Sequence, residues 1–161
     1  FNFNFYTPTR VVFGKETEYR IGKLVKNVNC KKVLLHYGSG SVIRSGLLGR
    51  IKESLDASGV TYVGLAVKGI ELCRKEGVDF LLAVGGGSVI DSAKAIGYGL
   101  ANDGDVWDFY EHTRQASACL PIGVVLTIAA SGSEMSNSSV ITNDETLEKR
   151  GYNNDISRPV F

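Results

Sequence analysis

The sequence predicts an α/β domain built on a parallel sheet, and three observations lead there. Short, almost unbroken apolar runs, such as Val33-Leu-Leu35 and Phe80 to Val84, alternate with segments whose apolar residues recur every three or four positions. A strand that is apolar on both faces has to be covered on both, as in a parallel sheet between helices. Glycine- and serine-rich stretches at residues 38–41, 85–88 and 127–133 each follow such a run. Right-handed crossovers would therefore bring all three stretches to one rim, beyond the carboxyl ends of the strands.

Taken in order, residues 1–5 alternate phenylalanine with asparagine, and Arg-Val-Val-Phe follows at 10–13 after Thr7-Pro8, which predicts an N-terminal β-hairpin. An aromatic edge of this kind invites pairing with a second copy of the chain. Residues 16–28 read as a helix with Ile21, Leu24, Val25 and Val28 on one face. A buried strand at 33–35, extended by His36 and Tyr37, runs into Gly-Ser-Gly-Ser at 38–41. The next helix presents Leu47, Leu48, Ile51 and Leu55 and stops at Gly59. Residues 60–65 form a third strand, and 68–76 a short helix closed by Gly77. Residues 105–110 predict a helical turn whose aromatics serve packing. A further buried strand lies at 120–128, and residues 139–142 with 148–150 predict a closing hairpin.

The chain is organised around residues 78–94. The apolar run ends at Gly85, Gly86 and Gly87, and Ser88 opens a helical pattern with Ile90, Ala93, Ala95 and Ile96. Without Cβ atoms the backbone N–H groups can approach a phosphate, and the helix dipole favours its charge. The plainer reading is a tight turn followed by a capping box from Ser88 to Asp91. The spacing of a P-loop is absent. Residues 38–43 half-match the Gly-x-Gly-x-x-Gly fingerprint, but Ile43 stands where the third glycine belongs. No acidic residue closes the second strand near Gly64 and Leu65, so a standard NAD-type reading fails.

Composition sets the bounds. At 161 residues, 43% apolar and 22% charged, the chain is one ordinary globular domain. A net charge of +1, with no basic stretch interleaved with aromatics, argues against a nucleic-acid surface. No apolar segment reaches the length of a membrane span, and nothing resembles a signal peptide. The three cysteines, Cys30, Cys73 and Cys119, are odd in number, scattered and without metal spacing, which predicts a reducing cytoplasm. The chain opens at Phe1 without a methionine and stops at Arg158-Pro-Val-Phe161 as if a strand were about to begin, so it reads as a fragment.

The run Gly-Gly-Gly-Ser-Val-Ile-Asp-Ser-Ala-Lys at 85–94 resembles the pyrophosphate loop of the iron-containing (group III) alcohol dehydrogenases. Within that family it is most similar to the NADPH-dependent butanol dehydrogenase branch. The resemblance extends from residue 3 to residue 152. It implies a Rossmann-like nucleotide-binding domain over 1–161, the N-terminal half of a dehydroquinate synthase-like fold. It also implies that the loop holding Gly38, Gly40 and Ser41 meets the adenosine ribose, while Gly85, Gly86, Gly87 and Ser88 hold the pyrophosphate. Asp91 then lies near the nicotinamide half. Thr127 and Ser131, from a stretch similar to the family's Thr-Gly-Ser-Glu, border the pyrophosphate and nicotinamide ribose, and Lys149 matches a lysine near that ribose. Small uncharged donors at 38–41, where NAD-preferring members carry an aspartate, predict NADP(H). The plain alternatives are an N-cap for Ser41 and a solvated face for Lys149, and Lys94 is read as a solvated helix residue outside the site.

Two departures accompany the resemblance. The connection from Gly64-Leu65 into Val67-Lys68 is shorter than the family's, and the family's metal ligands, one aspartate and three histidines of a second, helical domain, find no match. His36 ends a buried strand and His112 lies in a polar loop, with no metal spacing between them. Fe2+ or Zn2+ would then enter only through a domain beyond residue 161. The main reading is thus the cofactor-binding domain of an NADP- and metal-dependent dehydrogenase acting on primary alcohols and aldehydes such as butanol and butanal. It would form a homodimer through its N-terminal strands, have no catalytic residues of its own, and be inactive alone. The alternative is a non-catalytic nucleotide-binding or assembly module; a related lyase or glycerol-phosphate dehydrogenase is a third reading.

Overall fold

The computed structural model describes residues 2–3, 6–38, 40–65 and 70–161. In chain order it contains α1 (Ile21–Lys26), β1 (Val33–Tyr37), α2 (Ser41–Arg44), α3 (Leu47–Ala57), β2 (Tyr62–Leu65) and α4 (Ile70–Glu76). These are followed by β3 (Phe80–Gly85), α5 (Gly87–Ala101), α6 (Trp107–Tyr110), β4 (Ile122–Leu126), β5 (Ser138–Thr142) and β6 (Lys149–Asn153).

The first four strands form one parallel sheet in the order β2-β1-β3-β4. β3 is buried along its whole length because helices cover both faces of the sheet. Phe80, Leu82 and Val84 pack with Ile21, Leu24 and Val25 of α1 and Ile51 and Leu55 of α3. Leu81 and Ala83 turn to the other side, against Ile90, Ala93 and Ile96 of α5 and Cys73 of α4. This side-to-side alternation turns an unbroken apolar run into a three-layer core. At the opposite edge from the glycine loops, the Asp79 carboxylate accepts the N–H groups of Lys31 and Lys32, each at 2.9 Å, and ties the entrances of β1 and β3 together.

The closing hairpin is present as β5 and β6, antiparallel, pairing Ser138 with Asn153 and Thr142 with Lys149. It packs over α5 through a third cluster in which Tyr98, Phe109, Tyr110 and Tyr152 meet. The aromatics of α6 are therefore packing residues, as expected.

No N-terminal hairpin is formed among the described residues. Among the described residues no strand precedes β1. Residues 6–13 instead lie against the C-terminal segment. The Arg10 N–H donates to the Val160 carbonyl at 3.0 Å, and the Thr9 hydroxyl to the Pro159 carbonyl at 2.6 Å. Val160 in turn donates to the Ile122 carbonyl of β4 at 2.8 Å, so this stretch finds its partners in the other terminus. Residues 1, 4 and 5, three of the five in the alternation that predicted the hairpin, lie outside the described residues, as does the shortened connection at 66–69. The helix expected at 16–28 begins as a 3-10 turn, Thr17–Arg20, after Glu16 takes a left-handed φ of 59°.

Candidate functional site

The strand order 2-1-3-4 reverses direction between β1 and β3, and in an open parallel sheet the crevice beyond the carboxyl ends at such a reversal is where ligands sit. The loops after those two strands are the two glycine stretches. They touch: the Gly38 N–H donates to the Val84 carbonyl at 3.4 Å, and a Cβ on Gly38 would come within 3.1 Å of Val89 in α5.

The three central glycines have different physical reasons. A Cβ on Gly85 would stand 2.6 Å from Val89, so this glycine lets α5 dock on the end of β3. A Cβ on Gly87 would run into the Ser131 hydroxyl. Gly86 has neither constraint. Its φ of −92° is open to any residue, and no atom lies within 4 Å of where its Cβ would be. The described residues themselves therefore place no demand for glycine at this position.

The capping box does not form. α5 begins at Gly87 with Gly86 as N-cap, so Ser88 already lies in the first turn, Asp91 lies a turn further in, and no side chain caps the helix. The first-turn N–H groups of a 15-residue helix thus face the crevice. Gly87, Ser88, Asp91, Ser131 and Lys149 line one cavity of about 390 Å³ together with Val140, Ile141 and Thr142 of the hairpin. The helix, the serine loop and β6 therefore bring five of the expected residues to one cavity.

Asp91 is held from two sides. Its carboxylate accepts from the Ser133 hydroxyl, and its backbone carbonyl accepts from the Ser139 hydroxyl at 2.9 Å. Ser139 is hydrogen-bonded to the Tyr110 hydroxyl at 2.6 Å, which anchors this end of α5 to the aromatic cluster.

Lys94 contradicts its expected role as a solvated residue: its relative exposure is 0%. Its Nζ donates to the carbonyls of Ser133 at 2.8 Å, Ser136 at 2.9 Å and Ser138 at 2.7 Å. Three protons meet three carbonyls, which satisfies a buried ammonium without an ion pair. Burial pulls its pKa down to about 8, against the opposing pull of Asp91. A signal for this role was present. Lys94 is the sole cation in residues 87–101, flanked by alanines, and three residues after Asp91 it shares that side of the helix.

On the first loop, Gly40 is left-handed with φ 80° and is itself the N-cap of α2. Ser41 is therefore the first helical residue; its hydroxyl makes no cap bond and stands exposed. Ser39 lies outside the described residues. Thr127 parts from the group. Its N–H donates to the Gly85 carbonyl at 3.1 Å, but it lines a second cavity, of about 470 Å³, with Val12, Phe13, Glu134, Met135 and Phe161.

Among the described residues no three His, Cys, Asp or Glu side chains converge, so they do not supply a ligand set for a metal ion. His36 is buried in β1, and His112, at φ 60°, lies in a turn with its ring 6.2 Å from that of Tyr152. Cys30, Cys73 and Cys119 are unpaired thiols. No helix among the described residues is long and apolar enough to cross a membrane.

Comparison with known proteins adds kinship to this geometry. The family model for iron-containing alcohol dehydrogenase matches residues 8–161. The chain is 44% identical to a probable NADH-dependent butanol dehydrogenase 1 of Bacillus subtilis, over 99% of this chain and 44% of that protein. It is 33% identical to the NADPH-dependent aldehyde reductase YqhD of Escherichia coli, over 99% of this chain and 44% of the other. The crystal structure of NADH-dependent butanol dehydrogenase A from Thermotoga maritima superposes with a TM-score of 0.94 at 39% identity, covering 99% of this chain and 43% of that one. The chain thus spans less than half the length of these relatives.

Proposed function

This chain belongs to the iron-containing alcohol dehydrogenase family, and on that premise we propose that it is the part of such an enzyme that binds the nicotinamide coenzyme. The observation that carries the proposal is Gly86. It is a glycine that neither conformation nor packing demands, placed at the uncapped start of α5 in the crevice where the strand order reverses. A pyrophosphate explains it, because only there would a Cβ obstruct an anion drawn onto the helix N-terminus.

In this reading Gly86, Gly87 and Ser88 hold the pyrophosphate through backbone N–H groups. Asp91, Ser131 and Lys149 border the adjoining cavity and orient the nicotinamide ribose, and Gly38, Gly40 and Ser41 border the adenosine ribose. Bound there, the coenzyme supplies or accepts the hydride in the interconversion of a primary alcohol, such as butanol, with its aldehyde. The coenzyme is NADP(H), because the described part of the first loop carries no carboxylate that would repel a 2′-phosphate. Names among the relatives divide on this point, NADH for the butanol dehydrogenases and NADPH for the aldehyde reductase.

In this reading the chain alone binds the coenzyme without turning alcohol over. The unpaired thiols fit a reducing cytoplasm, and the exposed aromatics near the N-terminus fit a second copy of the chain as partner. The test is a fluorescence titration with NADPH and NADH, for the wild type and for Gly86→Asp. The proposal expects saturable NADPH binding, weaker NADH binding, and loss of both in the variant at an unchanged unfolding midpoint. Equal binding by the wild type and the variant would overturn it.

A further inference from the structure

Arg44 closes α2, and its side chain folds back over the first loop. The guanidinium nitrogens stand 2.6 Å and 3.4 Å, and its carbon 3.3 Å, from where a Cβ on Gly40 would be. Gly40 therefore serves two ends. It supplies the left-handed turn, and it leaves the space into which this arginine settles.

Among the described residues five arginines are tied to acids, for example Arg50 to Glu18 at 2.9 Å, Arg114 to Asp108 at 3.0 Å and Arg150 to Glu148 at 2.9 Å, whereas Arg10, Arg20 and Arg44 are not. Arg44 has no carboxylate partner and no side-chain hydrogen bond among the described residues. It is an exposed guanidinium seated against a glycine, one strand away from the central loop, with the free Ser41 hydroxyl on the same turn. No acidic residue occurs anywhere in residues 33–52.

We propose that Arg44 is the specificity-determining residue that selects a nucleotide carrying a phosphate on its adenosine 2′-oxygen. The inference rests on the coenzyme reading above and adds to it the group that tells the two nicotinamide nucleotides apart. With the pyrophosphate on α5, the adenosine ribose reaches the carboxyl end of the neighbouring strand, which is β1. A planar guanidinium offers a phosphomonoester two parallel donors and a full opposite charge. A bare 2′-hydroxyl, which is best met by a carboxylate acceptor, gains little from it.

The experiment is a fluorescence titration of wild type, Arg44→Gln and Arg44→Lys with NADPH and NADH, together with a competition series using adenosine 2′,5′-bisphosphate and 5′-AMP. Arg44→Gln should weaken NADPH and the bisphosphate about tenfold to a hundredfold while leaving NADH and 5′-AMP within about twofold. Arg44→Lys should recover part of the loss, and the NADPH advantage of the wild type should shrink as salt is raised. The side chain is exposed, so the urea midpoint should not move. Tight NADPH binding with an NADPH-to-NADH ratio unchanged in Arg44→Gln would overturn the assignment and leave the coenzyme site standing. Absence of saturable binding by any of the four compounds would overturn both.

Discussion

The Nζ of Lys94 lies 2.7 Å from the carbonyl oxygen of Ser138, at the point where the serine loop becomes β5. Through this bond and those to Ser133 and Ser136, one buried ammonium holds a whole loop against α5. The same loop supplies the Ser133 hydroxyl that orients the Asp91 carboxylate. Lys94 thus positions Asp91 without facing the cavity itself. Replacing it by methionine keeps much of the volume but leaves three carbonyl oxygens buried without a donor. Lys94→Met should lose roughly 2–4 kcal/mol of stability, read from urea unfolding. Coenzyme affinity should fall with it, because Ser133 is released. A variant as stable as the wild type would mean that water takes over all three carbonyls.

The lowered pKa of Lys94 has a definite sign. The folded protein releases this proton near pH 8, whereas the unfolded chain holds it to about 10.5, so between those values the unfolded state binds more protons. Stability from this group is therefore greatest above 10.5 and lost as pH falls through about 8. A difference of roughly 2.5 in pKa corresponds to on the order of 3 kcal/mol. Urea melts at intervals from pH 7 to 10.5 should show the wild type gaining on Lys94→Met by about that amount. Parallel curves would refute the lowered pKa.

Gly85 and Gly86 are neighbours in sequence and opposites in consequence. An alanine at 85 meets Val89 at 2.6 Å and forces α5 off the end of β3, which should cost about 1–3 kcal/mol. An alanine at 86 meets nothing in the protein. Gly86→Ala should keep the wild-type melting temperature and bind NADPH at least tenfold more weakly. Calorimetry paired with titration separates the two effects. If Gly86→Ala bound as well as the wild type, the assignment of the pyrophosphate to Gly86, and the proposal it carries, would fall.

The parallel sheet was legible in the sequence because its strands are continuous apolar runs, a pattern that survives without any knowledge of partners. Val33 to Tyr37 and Phe80 to Gly85 stand within a residue of their expected limits for that reason. The central loop was legible because three glycines at the end of a strand constrain the backbone locally. What could not be read depended on contacts distant in sequence. Arg10 pairs with Val160 across 150 residues, and no local pattern announces that the first partner of residues 9–10 is the far terminus. Lys94 was misread because a lysine on a helix is normally solvated; the loop that buries it lies some 40 residues on. Ser41, and Ser88 with Asp91, looked like caps, but α2 is capped one residue earlier, at Gly40, and α5 two residues earlier, at Gly86.

Phe13 is 99% exposed, and Tyr6 and Val11 stand out on the same segment at 79% and 64%. Phe13 and Val11 also border the cavity of about 470 Å³ beside β4. A second copy of the chain seated on this segment would cover it. An aspartate at 13 would put a charge at the centre of that contact while touching nothing the monomer needs for folding. Phe13→Asp should then shift the proposed dimer to monomer at micromolar concentration, with a loss on the order of 2 kcal/mol or more in association. Light scattering behind size exclusion, run at several concentrations, reads the mass directly. A wild type that stays monomeric throughout, or a dimer indifferent to Phe13→Asp, would show that these aromatics await a different partner.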